Sequence, residues 1–343
     1  MRGEPQGQRF DINKACVIAS WVLMAGGLYL VLRLQLLLAL LAGLLVYHLV
    51  HALAPLMQKR FSHDRSRLIA VALLAIAIIG ALTLGVIAGS AFMRSEAARL
   101  PVLYDRFSHI IEQARNQLPA ALGDYLPNNA TEIRDTLTDW VSDHTQELQV
   151  AGKEAITAFL HLLVGMVLGA MIALRQTRPS HLMQPLAQAM TTRAQLLSDA
   201  FQRVVFAQVR ISLLNTAFTA AFLLIALPLA GIHLPLTKTL ILLTFVVGLL
   251  PVIGNLVSNS LIVLVGLSVS LYVAIAALVF LVLIHKLEYF LNARIVGSRI
   301  HANSWELLLA MLVMEAAFGI PGLVAAPIYY ACLKSELARK ELV

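Results

Sequence analysis

The chain has 343 residues, of which 59% are hydrophobic and only 13% are charged. Soluble domains carry about a quarter charged residues, so this composition excludes a water-soluble globular protein. The formal net charge of +7 does not indicate a nucleic-acid partner, because in a membrane protein the basic residues orient the loops. We therefore expect the lipid bilayer to be the main solvent of this chain, and no nucleic acid among its partners.

Apolar runs follow one another along the chain at lengths that suit membrane-spanning helices, which need about 20 residues. Unbroken runs predict five full spans, at 15–32, 34–57, 68–93, 155–174 and 211–232. Two later runs are interrupted. The run 239–284 is too long for one crossing and is broken at 250–255, and the run 305–333 is broken at 318–322. Each piece beside a break has a length that suits half a crossing.

The distribution of basic residues predicts the orientation. Five polar segments hold 18 of the 26 Lys and Arg residues, namely 1–14, 58–67, 175–210, 285–304 and 334–343. By the positive-inside rule we expect all five to be cytoplasmic, which places both termini inside. The insertion 94–153 holds nine acidic and six basic residues, and we expect it outside. Segment 285–304 is inside only if 238–267 enters and leaves the membrane on the outer side and the rest of that run crosses it. The C-terminus is inside only if 304–332 enters and leaves on the cytoplasmic side.

We therefore predict an all-α polytopic membrane protein with about six full transmembrane helices and two re-entrant or broken helical hairpins. The alternative for the broken runs is a pair of proline-kinked full-length helices. The predicted domains are an N-terminal tail with three spans (1–93), a small helical extramembrane insertion (94–153), a fourth span (154–178), a cytoplasmic amphipathic helix (179–208), a transport core (209–333) with broken hairpins near 238–267 and 304–332, and a cytoplasmic tail (334–343). Anionic lipid is the expected partner of Arg193 and Arg203 in the amphipathic helix.

The hairpin tips are the first candidates for a functional site. Backbone groups freed at a break are tolerated at membrane depth only inside protein or beside a water-filled cavity. In transporters, paired interruptions of this kind point to the binding site. The tip residues are Pro251, Gly254, Gly319, Pro321 and Gly322. We predict that the two tips approach one another near the middle of the membrane.

Polar residues in apolar surroundings give further candidates. Glu315 precedes the second break, and an ionisable group inside a span is a functional hypothesis by default. Its carboxyl is a candidate for proton coupling, and the alternative is a neutral acid locked by hydrogen bonds between helices. Asn255, Ser258 and Asn259 share one helix face after the first break, where they would line a polar path, bind a cation or form interhelical hydrogen bonds.

Two weaker groups complete the candidates. Asn215, Thr216 and Thr219 form a polar strip in the fifth span, and interhelical hydrogen bonding is the alternative to a functional role. Glu288 lies at a cytoplasmic helix end, where local ion pairing is the alternative. The sequence has no HExxH, GxSxG, Walker or GxGxxG motif, so it predicts neither an enzyme nor a cofactor. His48 and His51 are weak evidence for a metal, and we predict none.

Three sequence stretches resemble the AI-2E (autoinducer-2 exporter) family. They are Leu250-Pro251-Val252-Ile253-Gly254-Asn255, Leu287-Glu288 with Ile295-Val296-Gly297, and the stretch from Phe318 to Pro327. A close pair of N-terminal spans and the outside helical insertion are similar as well. The chain departs from the pattern at Ala293-Arg294, where relatives usually carry a proline, and Glu315 is not part of the pattern.

The resemblance implies secondary transport across a bacterial inner membrane. It implies either export of a small polar solute such as autoinducer-2, a quorum-sensing signal, coupled to protons or cations, or exchange of sodium or another monovalent cation for protons. It also implies a homo-oligomer, with a pentamer as the expected form. A membrane accessory or scaffold protein that transports nothing is the alternative from a different class, because fold analogy alone does not choose between functions.

Overall fold

The computed structural model describes residues 6–57, 63–97, 139, 142–175, 183–249, 253–295 and 304–341. Ten helices occupy this part of the chain, and no strand occurs in it. They are α1 (Gln6–Arg33), α2 (Leu37–Met57), α3 (His63–Ala97), α4 (Thr145–Leu174), α5 (Pro185–Ala221), α6 (Thr237–Gly248), α7 (Ile253–Leu267), α8 (Leu271–Ile295), α9 (Ser304–Phe318) and α10 (Ile320–Arg339). The predicted all-α polytopic membrane fold is confirmed.

Within the described parts of the chain, four helices are long and apolar enough to cross a membrane, at Lys14–Arg33, Leu37–Met57, Thr145–Leu174 and Pro185–Leu229. The other two full spans predicted from the sequence fall in α3 and α8, which have 35 and 25 residues. At about 1.5 Å per residue both exceed a hydrocarbon core of about 30 Å. Many large apolar side chains are exposed on these helices, among them Val22, Ile76, Leu168, Leu224 and Leu278. An outer surface of this kind suits lipid rather than water.

α5 is longer than the sequence suggested. The sequence predicts a cytoplasmic helix at 179–208 and a separate span from 211, whereas one helix runs from Pro185 through Ala221. No Gly or Pro occurs between 186 and 227, so nothing in this stretch interrupts the helical hydrogen bonds. The helix continues through a π-helical turn (Phe222–Ala226) and ends with one more α-helical turn (Leu227–Leu229).

The described helices belong to two compact units, and the first comprises Met1–Ile76, Thr157–Ala207 and Ile295–Val343. In its core, buried residues of α5 pack on buried residues of α10, with Leu197, Ala200 and Phe201 on one side and Ile328 and Ala331 on the other. α2 and α4 meet backbone to backbone, since a Cβ added at Gly165 would overlap the Ala39 carbonyl oxygen. Small residues allow this close packing. In lipid the hydrophobic effect does not drive helices together, so van der Waals contact between closely packed helices stabilises their association.

Arg193 corrects one expectation from the sequence. Its side chain does not reach anionic lipid, because the residue is only 7% exposed. Its Nη2 lies 3.5 Å from Glu336 Oε1 of α10. Arg203 is half-buried and donates a hydrogen bond of 2.8 Å to Ser335 Oγ. The apolar face of this helix at 197–205 therefore packs on protein, and the buried guanidinium of Arg193 lies beside its counter-ion.

The second unit comprises Ala77–Ile156 and Gln208–Arg294. Its core joins the end of α5 to α6, α7 and α8, with Leu223, Leu240 and Ile262 among the buried residues. Phe222 stacks on Phe280 with a centroid separation of 4.0 Å. Of the predicted insertion at 94–153, residues 98–138 and 140–141 lie outside the described residues.

Each predicted broken run forms a helical hairpin. α6 packs on α7 in the second unit, and α9 packs on α10 in the first. Gly319 makes the turn of the α9–α10 hairpin at φ 65° and ψ −147°, a conformation that only glycine adopts without strain. The open end is tied by Glu306 of α9, whose Oε2 accepts hydrogen bonds from Tyr330 and, at 2.6 Å, from Lys334 Nζ. The packed arms distinguish both hairpins from kinked single helices.

Candidate functional site

One polar face of α5 lies against the α6–α7 hairpin. Gln208, Ser212, Asn215 and Thr219 are spaced by four, three and four residues, so they fall on one side of the helix. We name these four residues the α5 seam. All four lie in the second unit, as do α6 and α7. The α5 seam continues directly into Phe222 and Leu223, which pack in the apolar core of the same unit.

The first two seam residues bind the broken end of α6. Gln208 Nε2 donates a hydrogen bond of 2.8 Å to the Gly248 carbonyl oxygen. Ser212 Oγ donates one of 2.7 Å to the Phe245 carbonyl oxygen. The last carbonyls of a helix have no partner within it and carry its partial negative charge. Donors from α5 therefore satisfy carbonyls that the chain break leaves free.

Glycine allows the close approach at this break. A Cβ added at Gly248 would come within 2.8 Å of Ser212 Oγ. A Cβ added at Gly254, on the other arm, would overlap the Val247 carbonyl oxygen. Larger residues at either position would push the arms, or α5, apart. The predicted tip residue Gly254 thus closes the α6–α7 hairpin, while Pro251 lies outside the described residues.

Near the deeper end of the α5 seam, two buried threonine hydroxyls lack partners among the described residues. Asn215 is 4% exposed and Thr219 is 1% exposed. The hydroxyls of Thr216 and Thr219 find no hydrogen-bond partner within the described residues. Thr244 on α6 is equally buried, but its hydroxyl donates to the Leu240 carbonyl oxygen at 2.7 Å. An unpaired buried hydroxyl destabilises the folded state by about 1–3 kcal/mol. A ligand, an ion or water that paired with the Thr219 hydroxyl would remove this penalty.

The π-helical turn follows one turn after Thr219. Its five residues, Phe222–Ala226, shift the hydrogen-bond register, so that the Leu227 amide donates to the Phe222 carbonyl oxygen. Single π-turns inside α-helices occur frequently at functional sites, because they break the regular pairing of backbone groups. The unpaired hydroxyl and the irregular backbone therefore occur within two turns of one another.

The polar residues predicted on α7 are placed unevenly. Ser258 is buried at 1% exposure and Asn259 is half-buried. The side chains of Asn255 and Glu288 lie outside the described part of the structure. Asn215 and Ser258 both lie in the second unit, and the predicted role of Asn255 stays a prediction.

The other hairpin carries the remaining candidates. A Cβ added at Gly322 would overlap the Met314 carbonyl oxygen, so this glycine lets α9 and α10 pack closely. Pro321 lies in the first turn of α10, where its missing amide donor costs nothing. Glu315 is exposed on α9, on a surface that also exposes Leu308 and Leu312. The approach of the two hairpin tips remains a prediction.

The histidines weighed as metal ligands make other contacts. His48 Nε2 lies 3.0 Å from the Ser198 carbonyl oxygen and 2.9 Å from its hydroxyl. His51 Nδ1 lies 2.8 Å from the Tyr47 carbonyl oxygen. No group of three or more His, Cys, Asp or Glu residues that could hold a metal occurs among the residues the structure describes.

Gln208 and Ser212 were not among the candidates from the sequence. Their signal was available, because they continue the spacing of Asn215 and Thr219 by two turns. The predicted boundary at 208 places the two residues in different segments, so the sequence prediction does not include them. Their acceptors are backbone carbonyls, which leave no trace in the side-chain sequence.

The sequence model of the AI-2E family transporters matches residues 18–340. That range covers nearly all of the chain, including both hairpins and the α5 seam. Searches of the curated proteins and of the solved structures gave no match.

Proposed function

The chain belongs to the AI-2E family of transporters, and on that premise we propose that it is a secondary transporter that exports a small polar solute resembling autoinducer-2. Export is coupled to protons or to monovalent cations. The protein works in the bacterial inner membrane with both termini in the cytoplasm, and it requires no cofactor and catalyses no covalent reaction.

The unpaired hydroxyl of Thr219 is the observation that carries this proposal. Together with Asn215, it supplies hydrogen-bonding groups in an apolar unit, at a helix whose backbone is irregular. In a purely structural role the Thr219 hydroxyl would be paired, as the Thr244 hydroxyl is. A solute with hydroxyl and carbonyl groups would complete the hydrogen bonds while crossing the membrane.

Glu315 is the proposed coupling residue. It is the exposed carboxyl of an otherwise apolar helix surface, and lipid does not tolerate a charge there. Asn255, Ser258, Asn259 and Glu288 are proposed to line the polar path.

Exchange of sodium or another monovalent cation for protons is the second candidate function. The broken end of α6 favours it, since helix C-terminal carbonyls and amide oxygens are typical cation ligands in transporters. Here the carbonyls of Phe245 and Gly248 already bind Ser212 and Gln208. Each carbonyl oxygen keeps a second lone pair that a cation could use.

Reconstitution into liposomes tests both functions. Purified protein is expected to move autoinducer-2, or sodium or potassium, at a rate that depends on an imposed pH gradient. Glu315→Gln should flatten the pH dependence while leaving binding intact. The exposed carboxylate of Glu341 at the end of α10 offers a matched control in Glu341→Gln.

Absence of any gradient-dependent flux by well-folded protein would contradict transport and favour the accessory role. Flux that keeps its pH dependence in Glu315→Gln would remove this residue from the mechanism. We also propose a homo-oligomer, in line with the resemblance. Cross-linking in native membranes would show it as a ladder that ends at the assembly size, and a monomer band alone would contradict it.

A further inference from the structure

A buried charge cluster joins three helices of the first unit. Arg193 of α5 is 7% exposed and Glu336 of α10 is 9% exposed. The guanidinium carbon of Arg193 lies 5.6 Å from the ring centroid of Trp21 on α1. The cation is thus held between a carboxylate and an aromatic face, an arrangement that stabilises a buried guanidinium.

The ion pair is not tight. Arg193 Nη2 and Glu336 Oε1 lie 3.5 Å apart, farther than the about 2.7–2.9 Å of a charge-assisted hydrogen bond. Arg193 Nη1 donates instead to the Ala189 carbonyl oxygen of its own helix, at 2.9 Å. Arg203 is engaged with Ser335, so Arg193 is the counter-ion of Glu336 within the described part of the chain.

Two polar atoms of the cluster have no partner. Glu336 Oε2 and Trp21 Nε1 are buried and make no hydrogen bond to any described residue. Each of these atoms would be hydrated if the contact opened, and each is unsatisfied while the contact is closed. Unsatisfied buried groups destabilise the state that buries them. In the closed state this penalty offsets part of the stabilisation that the ion pair provides.

We propose that Arg193, Glu336 and Trp21 form a conformational latch, in which the ion pair holds the α9–α10 hairpin on α5 and the two unpaired atoms keep the contact ready to open. When the latch opens, water reaches Glu336 Oε2 and Trp21 Nε1 and the end of α10 separates from α5. The hairpin then moves on its neighbours. The consequence for transport rests on the proposed function, whereas the opening itself does not.

The sharpest variant removes only the unsatisfied donor. Replacing Trp21 by benzothienylalanine, its sulfur isostere, keeps the ring shape over Arg193 and deletes the N–H group. The closed state of the latch then buries one unsatisfied donor fewer and becomes more stable relative to the open state. Hydrogen exchange of the α10 amides at 332–339 is expected to slow about fivefold, which corresponds to about 1 kcal/mol. The same replacement at Trp305, which is 65% exposed, should leave exchange unchanged.

Breaking the pair should have the opposite effect. Glu336→Gln leaves Arg193 buried without a counter-charge, and exchange at 332–339 should accelerate about tenfold or more. Glu341→Gln is the matched control. The double variant Arg193→Met with Glu336→Leu removes both charges, and its exchange should return to the wild-type rate or below it.

Two results would overturn the latch. Unchanged or faster exchange in the Trp21 isostere would show that the indole N–H does not oppose closure. Equal exchange in Glu336→Gln and Glu341→Gln would show that the ion pair does not hold α10. Slower solute flux in the Trp21 isostere connects the latch to transport. Altered exchange in a protein that transports nothing keeps the latch and refutes the proposed function instead.

Discussion

Replacement of Thr219 by valine tests the unpaired hydroxyl of the α5 seam. Threonine and valine have nearly the same shape, so Thr219→Val exchanges only a hydroxyl for a methyl group. Because Thr219 is 1% exposed and its hydroxyl has no partner among the described residues, the folded protein should gain about 1–2 kcal/mol. At a site where the hydroxyl has a hydrogen-bond partner, the same kind of substitution would lower the free energy of unfolding.

Thr244→Val is the control for this prediction. Thr244 is 0% exposed in the same unit, but its hydroxyl donates to the Leu240 carbonyl oxygen. Its loss should cost about 0.5–1.5 kcal/mol. The two variants should therefore shift the thermal unfolding midpoint in opposite directions, each by roughly 2–4 °C per kcal/mol. The measurement is thermal unfolding of purified protein in one detergent, followed by tryptophan fluorescence.

The same variant separates stability from function. If the hydroxyl binds the transported solute, Thr219→Val should be more stable and slower in flux, while Thr244→Val should be less stable and unchanged in flux per folded molecule. A lower unfolding midpoint for Thr219→Val, equal to that of Thr244→Val, would refute the unpaired hydroxyl. A higher midpoint with unchanged flux would refute its role in transport.

Three further predictions follow from the helix contacts. Gly319→Ala should destabilise the α9–α10 hairpin by about 1–2 kcal/mol, because a Cβ is unfavourable at φ 65°, and thermal unfolding against Ala317→Gly on the same hairpin would show a larger loss at 319. Ser212→Ala should cost about 1 kcal/mol by freeing the Phe245 carbonyl, and an unchanged midpoint would contradict that hydrogen bond. The hydrogen bond to Glu306 raises the pKa of Lys334 above its usual 10.5. On the alkaline side its stabilisation is complete below pH 10.5 and is lost as the pH rises through the raised pKa. The stability difference between wild type and Lys334→Met should therefore persist at pH 10.5 and disappear above the raised pKa.

The sequence predicted the hairpins because particular residue types, Pro and Gly, mark the breaks between their helices. Pro and Gly interrupt long apolar runs, and the count of basic residues in the flanking loops predicts that the hairpins near 238–267 and 304–332 each return to the side from which they enter. Gly319 and Gly254 then make the turn and the close approach that glycine alone permits. The residue types and the packed helix pairs agree at these positions, which is why the prediction of an all-α fold with helical hairpins succeeded.

The partners of Arg193 and Ser212 could not be read in the same way. An arginine on an amphipathic helix has the same pattern whether it reaches lipid or a buried carboxylate such as Glu336, and only tertiary packing separates the two. Ser212 binds a backbone carbonyl, which every residue carries. The unpaired state of Thr219 is likewise a property of its surroundings, so sequence could name the residue but not its importance.

Access of water to Asn215 tests the central claim, that the α5 seam lines the path of the solute. Asn215→Cys, in a chain whose Cys16 and Cys332 are replaced by serine, is compared with Ala277→Cys, a 0% exposed apolar position in the same unit. During active flux, a small charged thiosulfonate reagent should modify position 215 and block transport, and should leave position 277 unmodified. Equal lack of reaction at both positions in transport-active protein would contradict the account.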